Sequence, residues 1–349
     1  MERDAITKVK FSELDINNSF FESLIEDYHG FRDWFERKAD EEAYVLIDQG
    51  EIKGFLYLKD ESESDATIIP NFKEKRRLKI GTLKIERHGT VLGQRFISIA
   101  LHKMVSEGFS ETYVTFFDRQ EALRELFIKF GFELWGNKEN GELVYYKTLE
   151  LKNDIYKDYP MISVNNNSKY MLAIFPEYHT HLFPGSRLST ESAHIVEDLS
   201  FTNTIEKIYL SSADSIEDAR PGDLIVIYRT KEKGDLAPAE YKSVATSICT
   251  IVDIKDIHSF ESKDEFLRYC GKGSIFTDEQ LNSFWTRKQY KYVIKMLYNI
   301  SLNKRITRHE LIEEIGIERD IRWTFFPITD IQLNNILLKG EVDESFVID

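Results

Sequence analysis

The stretch that decides the fold runs from Arg76 to Ala100, RRLKIGTLKIERHGTVLGQRFISIA. Its first part, Leu78–Ile85, alternates in polarity and predicts a β-strand. A loop with two glycines, His88–Gly93, leads directly into an apolar helix that starts near Phe96. Backbone N–H groups and the positive end of the helix dipole converge there, so the junction can hold an anion such as a pyrophosphate. Similar turns that bind nothing are common, so the loop alone decides no function.

Composition predicts a soluble globular protein. The 349 residues are 42% hydrophobic and 30% charged, which is enough for two domains, each with its own core. No apolar run reaches the roughly 18 residues that a membrane helix needs, and the N-terminus lacks a signal-peptide pattern. The two cysteines, Cys249 and Cys270, cannot form a disulfide framework or a cysteine zinc site. We therefore expect buried structural thiols in a cytoplasmic protein with no membrane partner.

The net charge of −14 disfavours tight nonspecific binding to nucleic acid, which depends on neutralising phosphates. The densest basic cluster is Lys73–Arg77 together with Lys79 and Lys84, beside the glycine loop. It suits a phosphorylated cofactor, and it equally suits a strand edge whose lysines prevent aggregation.

The hydrophobic pattern of residues 1–150 predicts secondary-structure elements in this order: a strand from Ile6 to Leu14, two helices, three strands, a helix, a strand, a helix and a final hairpin. Asn17 or Asn18 can cap the first helix, and Asp48–Glu51 forms the turn of the first hairpin. This order resembles the GNAT N-acetyltransferases. Two motifs support the resemblance.

The first motif is the cofactor loop of that family, which matches His88–Phe96 at Gly89, Leu92 and Gly93. His88 replaces the usual Arg, and Val91 replaces the middle Gly. The second motif matches Gln120–Phe132 at Leu126, Gly131 and Phe132, with Gln120 at the usual Asn position and Phe127 at the usual Tyr position.

The resemblance implies a mixed α/β sheet domain that binds acetyl-CoA as co-substrate. The pantetheine arm would pair with the end of the fourth long strand, and the pyrophosphate would lie on the loop amides. The implied cofactor-binding residues are Leu83, Lys84, Ile85, His88, Gly89, Thr90, Val91, Leu92, Gly93, Gln94 and Phe127.

The catalytic groups remain open. Phe127 cannot protonate a leaving thiolate as the family's Tyr does. The thiolate could leave to solvent, another group could serve, or the domain could bind acetyl-CoA with little catalysis. An amine acceptor has to lose a proton, and Asp118 or Glu86 could accept it, although both also fit as surface carboxylates.

Residues 151–168 predict a linker, and residues 169–349 resemble an ASCH domain, a small β-barrel of the PUA-like superfamily, followed by an α/β tail. The resemblance rests on Ile174–Tyr178, on Gly185, and on a Pro-Gly-Asp turn before the apolar strand that ends at Tyr228. Some ASCH proteins are amidohydrolases that use a Lys and a Glu after that glycine.

Here Arg187 stands at the Lys position, Thr190 at the Glu position and Ser192 at the position of a following Arg, which disfavours hydrolysis. An RNA- or nucleotide-binding groove remains a hypothesis for this domain. Bases and aromatics interleave in Trp285–Tyr292, as on a nucleic-acid surface, but alternation from Tyr292 onward favours a core strand.

Two further features lie in this half. Thr307 and Glu310 predict a capped helix. His179 and His181 would share one strand face, but no carboxylate or cysteine cluster accompanies them, so we predict surface histidines and no metal site.

The sequence as a whole predicts an acetyl-CoA-dependent N-acetyltransferase whose C-terminal domain selects an amine acceptor, with RNA or a nucleotide as one option. The alternative is a regulatory module that senses acetyl-CoA or binds RNA or a nucleotide and catalyses little.

Overall fold

The computed structural model describes residues 6–86, 92–183, 205–271 and 274–348. The chain divides into two compact units, one ending at Lys152 and the other beginning at Asn153. In the described ranges, no helix is long and apolar enough to cross a membrane.

The first unit is a mixed sheet with helices on both faces. Its strands are β1 Ile6–Lys10, β2 Glu42–Asp48, β3 Glu51–Glu61, β4 Ile68–Ile69, β5 Arg77–Ile85, β6 Glu111–Phe116, β7 Glu133–Lys138 and β8 Leu143–Thr148. Its helices are α1 Glu22–Asp27, α2 Phe31–Arg37, α3 Leu92–Ser106 and α4 Glu121–Lys129. The predicted order is confirmed, with the short β4 added and with β1 ending at Lys10 because a 3-10 turn follows it.

The eight strands lie in the order β1-β2-β3-β5-β6-β8-β7-β4. β5 and β6 run parallel, and the other described pairs of this sheet are antiparallel. Local sequence explains the ends of several elements. Asn18 accepts a hydrogen bond from the Phe20 N–H at 2.9 Å, as a cap does, and Gln49 and Gly50 adopt φ of 52° and 80° in the predicted hairpin turn.

Alternate residues of β3 contact helices on opposite faces of the sheet. Phe55 and Tyr57 join the aromatic cluster under α1 and α2, where the Phe11 ring lies 5.5 Å and 5.2 Å from theirs. Gly54 precedes Phe55 and lies on the opposite face of the strand, where it leaves room for α3, because a Cβ there would lie 2.3 Å from Cε2 of Phe96. Helices thus cover both faces of the sheet, and a ligand can reach its strand backbone only where two strands separate.

The second unit is built on a six-stranded sheet in the order β11-β14-β13-β12-β10-β15, with β9 and β16 paired separately. Its strands are β9 Ile162–Ser163, β10 Lys169–Ile174, β11 Glu206–Ser211, β12 Leu224–Arg229, β13 Val244–Asp256, β14 Tyr292–Thr307, β15 Phe325–Ile328 and β16 Val347–Ile348. Its helices are α5 Pro176–Leu182, α6 Ala239–Lys242, α7 Lys263–Cys270, α8 Asp278–Arg287, α9 Arg308–Glu313 and α10 Asp330–Lys339.

Several predictions for this unit are confirmed. The alternation after Tyr292 does form a core strand, β14, and Thr307 and Glu310 cap α9 reciprocally. Cys249 and Cys270 are free, buried thiols whose pKa values burial raises, in the case of Cys270 to about 12. The mixed α/β class is confirmed for both units, and over the described residues six strands of the second unit form one sheet.

Candidate functional site

The central feature of the first unit is a gap between its two parallel strands. β5 pairs with β6 only from Leu78 opposite Thr112 to Ile80 opposite Val114. Both strands then continue, β5 to Ile85 and β6 to Phe116. On its other side β5 stays paired with β3 as far as Ile85. In the described part of the chain, the backbone of β5 beyond Ile80 therefore has no strand partner on the β6 side.

A bulge at Gly81 explains why the strands separate. The register with β3 passes from Thr82 opposite Tyr57 directly to Ile80 opposite Leu58, so Gly81 is the extra residue. A bulge bends its strand and increases the local twist, which turns β5 away from β6. A side chain would not fit here, because a Cβ on Gly81 would lie 2.8 Å from Cδ1 of Tyr57.

A cavity of about 520 Å³ occupies this gap. Its walls include Lys79–Leu83 of β5 and Val114–Phe116 of β6. The described lining also includes the segment from α1 to Lys38, with Tyr28, the part of β3 that contains Lys59, the start of α4, and the turn before β8, with Glu142. Strand backbone, aromatic rings and charged side chains thus face one half-open cavity, which is typical of a small-molecule site.

The predicted cofactor residues fall into three groups. Leu83 lines the cavity, and Lys84 lies beside it on β5 and donates a hydrogen bond to the Ser23 Oγ at 2.6 Å. Ile85 ends the strand. The first turn of α3 contains Leu92, Gly93 and Gln94. His88, Gly89, Thr90 and Val91 lie outside the described residues.

Phe127 lies in the hydrophobic core on α4 and is fully buried. Its ring stacks on Phe116 with centroids 5.7 Å apart and meets the edge of Phe132 at 4.8 Å. The position therefore supplies packing and no proton donor.

The two carboxylates predicted as bases lie away from the cavity lining. The Lys53 Nζ donates to Glu86 at 2.9 Å, and Arg124 donates to Asp118. The two carboxylate side chains are 41% and 71% exposed. Each is satisfied by an ion pair at the surface, and the structure brings neither to the gap.

Sequence reasoning missed a buried carboxylate that lines the cavity, that of Glu142. It is only 5% exposed. Thr115 Oγ1 donates to its Oε1 at 3.1 Å, and Asn140 Nδ2 donates to its Oε2 at 2.9 Å. Tyr28 lies beside it, and burial together with the charge of Glu142 raises the pKa of the Tyr28 hydroxyl. A glutamate in a turn looks exposed in sequence, and no local signal marks this one as buried.

In the second unit, His179 is not the surface strand residue that we predicted. It lies with His181 on helix α5 and is 2% exposed. Its Nε2 lies 2.9 Å from the Thr246 Oγ1, and burial, reinforced by Arg229 and Arg305, lowers its pKa to about 3. Over the described residues, no group of three metal-ligating side chains occurs. Gly185, Arg187, Thr190 and Ser192 lie outside those residues.

No family model matches the chain, and no curated protein matches it. Solved structures similar to it include an ASCH protein from Zymomonas mobilis, with 10% identity, a TM-score of 0.31 and coverage of 49% of this chain and 94% of that one. A GNAT-family acetyltransferase from Listeria monocytogenes has 19% identity, a TM-score of 0.28 and coverage of 35% and 72%. The NatC complex crystallised with Gag peptide and CoA has 19% identity, a TM-score of 0.28 and coverage of 41% and 96%. The structural neighbours thus include both GNAT acetyltransferases and ASCH proteins.

We predict that Gly81→Ala destabilises the first unit through contact with Tyr57. Overpacking of this kind costs about 1–3 kcal/mol. The change is to be measured by urea unfolding in the wild-type background and in a Tyr57→Leu background, which removes the contacting ring. The loss should be clearly smaller in the second background, whereas equal losses in both would show that Tyr57 does not explain the glycine.

We predict that His179 makes the second unit less stable as the pH falls. Its folded pKa of about 3 lies below the usual value near 6.5, so the unfolded chain binds a proton first. The contribution is complete above pH ~6.5 and is lost progressively towards pH 3, by about 2 kcal/mol between pH 7 and pH 5.

Hydrogen exchange of the β13 amides as a function of urea, at the two pH values, measures this loss. His179→Gln should reduce the difference between them by that amount. The matched variant His258→Gln, at a histidine that is 62% exposed, should leave the difference as in the wild type. An unchanged difference in His179→Gln would contradict the prediction.

Proposed function

We propose that the first unit transfers an acetyl group from acetyl-CoA to an amine in the cavity between β5 and β6. The observation that supports this is the unpaired edge of β5 beyond Ile80, facing a cavity of about 520 Å³. Acetyl-CoA supplies an activated thioester on an arm whose amides can hydrogen-bond to such a strand edge, as an added strand does. In this proposal Leu83, Lys84 and Ile85 bind the arm.

The pyrophosphate would bind where the chain enters α3. The helix has 15 residues, and Leu92, Gly93 and Gln94 form its first turn. N–H groups of a first helical turn have no partner within the helix and carry its positive dipole end, so they favour an anion. The loop residues His88, Gly89, Thr90 and Val91 precede this turn in sequence and belong to the proposed site.

Glu142 is the proposed proton acceptor. The pKa of an alkyl ammonium lies about three units above neutrality, so the amine has to lose a proton before it can attack. Among the acidic side chains of the described lining, Glu142 is nearly buried and accepts hydrogen bonds from Thr115 and Asn140. The Tyr28 hydroxyl beside it is protonated at neutral pH, as a phenol ordinarily is, and in this proposal it orients the carboxylate.

The transfer then balances as follows. The ammonium first gives one proton to Glu142, which passes it to solvent. The amine nitrogen then forms a bond to the acetyl carbon while the bond from that carbon to sulfur breaks. The second proton of the nitrogen passes to Glu142, and the thiolate takes its proton from solvent, since Phe127 has none to give.

A protein that binds acetyl-CoA without transferring the acetyl group is the second candidate function. The buried phenyl ring of Phe127, which leaves no hydroxyl at that position, is the observation that favours it.

The first prediction concerns the cofactor. Acetyl-CoA titrated calorimetrically into the full chain should bind, and Gln94→Glu should weaken binding about tenfold by placing a negative charge beside the pyrophosphate. Glutamate has nearly the size of glutamine and favours a first helical turn, and since the Gln94 Oε1 is buried, a circular dichroism melt of the variant checks that the fold persists. Asn137→Asp, an equal charge change on the exposed face of β7, is the matched control. Absence of binding to the wild type would overturn the proposal.

The second prediction concerns the base. Glu142→Gln should lower kcat/KM for amine acetylation about 100-fold or more, the usual contribution of a general base, while leaving acetyl-CoA affinity unchanged. Glu86→Gln and Asp118→Asn remove the same charge at exposed sites and should retain activity. Binding of acetyl-CoA with no turnover of any amine would instead support the second candidate function.

A further inference from the structure

The cavity is positively charged along one wall, although the whole chain has a net charge of −14. Four cationic and two acidic side chains occur in its described lining. The cations are Arg37, Lys38, Lys59 and Lys79, and the acids are Asp33 and Glu142. A cationic wall in an acidic protein requires a local explanation, and the contacts of the lysines provide it.

Lys59 and Lys79 lie directly opposite each other on β3 and β5. Like charges in this arrangement destabilise a sheet unless an anion lies between them. One carboxylate, that of Glu61, serves both: its Oε1 lies 2.8 Å from the Lys59 Nζ and 3.8 Å from the Lys79 Nζ. The Tyr113 hydroxyl donates to the same carboxylate. Glu61 is therefore shared by three donors, and Lys79 has the longest contact.

Lys79 is also one of the most buried cations of the lining, because its side chain is only 20% exposed. Burial lowers its pKa, and the charge of Glu61 compensates only in part. A desolvated ammonium is stabilised by any anion that comes within contact distance. The structure thus holds a charge at the cavity wall that an anionic ligand would satisfy.

The other two cations differ in their partners. Lys38 pairs with Glu41 at 2.6 Å, and Glu41 also accepts from the Tyr57 hydroxyl. Arg37 is exposed and makes no ion pair with the other described residues, so it can meet an anion on its way in. Glu142, which lies beside Tyr28, is one of the two acidic residues of the same described lining.

We propose that the acceptor is a small primary amine that also carries an anionic group, a carboxylate or a phosphate. Lys79, assisted by Lys59, binds the anionic group, and the amine faces Glu142. The cavity of about 520 Å³ is in the range of sites for small molecules. This inference rests on the proposed acetyl transfer and adds to it the class of acceptor.

The test compares amines in matched pairs with the full chain and acetyl-CoA, using release of the CoA thiol as the readout. Each pair shares its amine, and only one member carries an anion: phenylalanine and phenethylamine, leucine and 3-methylbutylamine, phosphoethanolamine and ethanolamine. The anionic member of at least one pair should react with a KM at least about tenfold lower, as a charge-assisted hydrogen bond provides. The carboxylate and phosphate pairs distinguish the two anions, and an RNA oligonucleotide is included as a competitor.

Lys79→Met then assigns the contact. It should raise KM for the anionic acceptor about tenfold or more, leave kcat nearly unchanged, and leave acetylation of the neutral amine and calorimetric affinity for acetyl-CoA as in the wild type. Lys75→Met is the matched control. That lysine is 45% exposed, lies outside the cavity lining and leaves its partner Glu111 paired with Arg77.

Three results would overturn the inference. The first is that neutral amines react with the same KM as anionic ones, and the second is that no anionic amine reacts. The third is that Lys79→Met lowers kcat for both members of a pair, which would give Lys79 a role in acetyl transfer itself. Inhibition by RNA alone, without acetylation of small anionic amines, would contradict it as well. If acetyl-CoA binds and neutral amines are acetylated, the proposed transfer stands and only the acceptor class fails. If acetyl-CoA does not bind, or binds while no amine reacts, the proposed function itself fails.

Discussion

Hydrogen bonding between the two parallel strands of the first sheet stops after three residue pairs, and the site depends on that interruption. A continuous ladder would have satisfied the backbone of β5 and left no space. The bulge at Gly81 prevents it, and the ring of Tyr57 is what makes glycine necessary there. Tyr57 is fixed in turn by Glu41 and by the edge of Phe11. Packing in the aromatic cluster around Phe11 and Tyr57 therefore helps to keep the gap between β5 and β6 open.

The opening is useful because it exposes two kinds of group in one place. Strand backbone without a partner can bind an extended, amide-containing arm. Charged side chains with shared or partly satisfied partners can bind a polar molecule next to it. Neither kind would persist in a closed core, where unsatisfied polar groups are too costly. The local field of such a cavity, rather than the net charge of the chain, decides which small ligand it attracts.

In the second unit, several buried polar side chains hydrogen-bond to one another or to backbone carbonyls. His179 meets Thr246 beneath the sheet, and the Thr250 Oγ1 donates to the Asn299 Oδ1 at 2.9 Å. Asn299 also donates to the carbonyl of Pro160 at 3.2 Å, which ties the segment before β10 to β14. These contacts specify how the strands pack, since each side chain has a partner only in this arrangement.

The sequence by itself determined what depends on short-range order. Polarity alternation gave β5 and β14, cap residues such as Asn18 and Thr307 gave helix starts, and Gln49-Gly50 gave a hairpin turn. Only the tertiary structure decided which charges are buried and which strands separate. Glu142 and Lys79 owe their environment to residues from distant segments, and Asp118 and Glu86 owe their exposure to the same cause. A bulge is a mismatch in register between two strands, so the sequence of one strand cannot show it. The burial of a side chain depends on which distant segments of the chain pack against it.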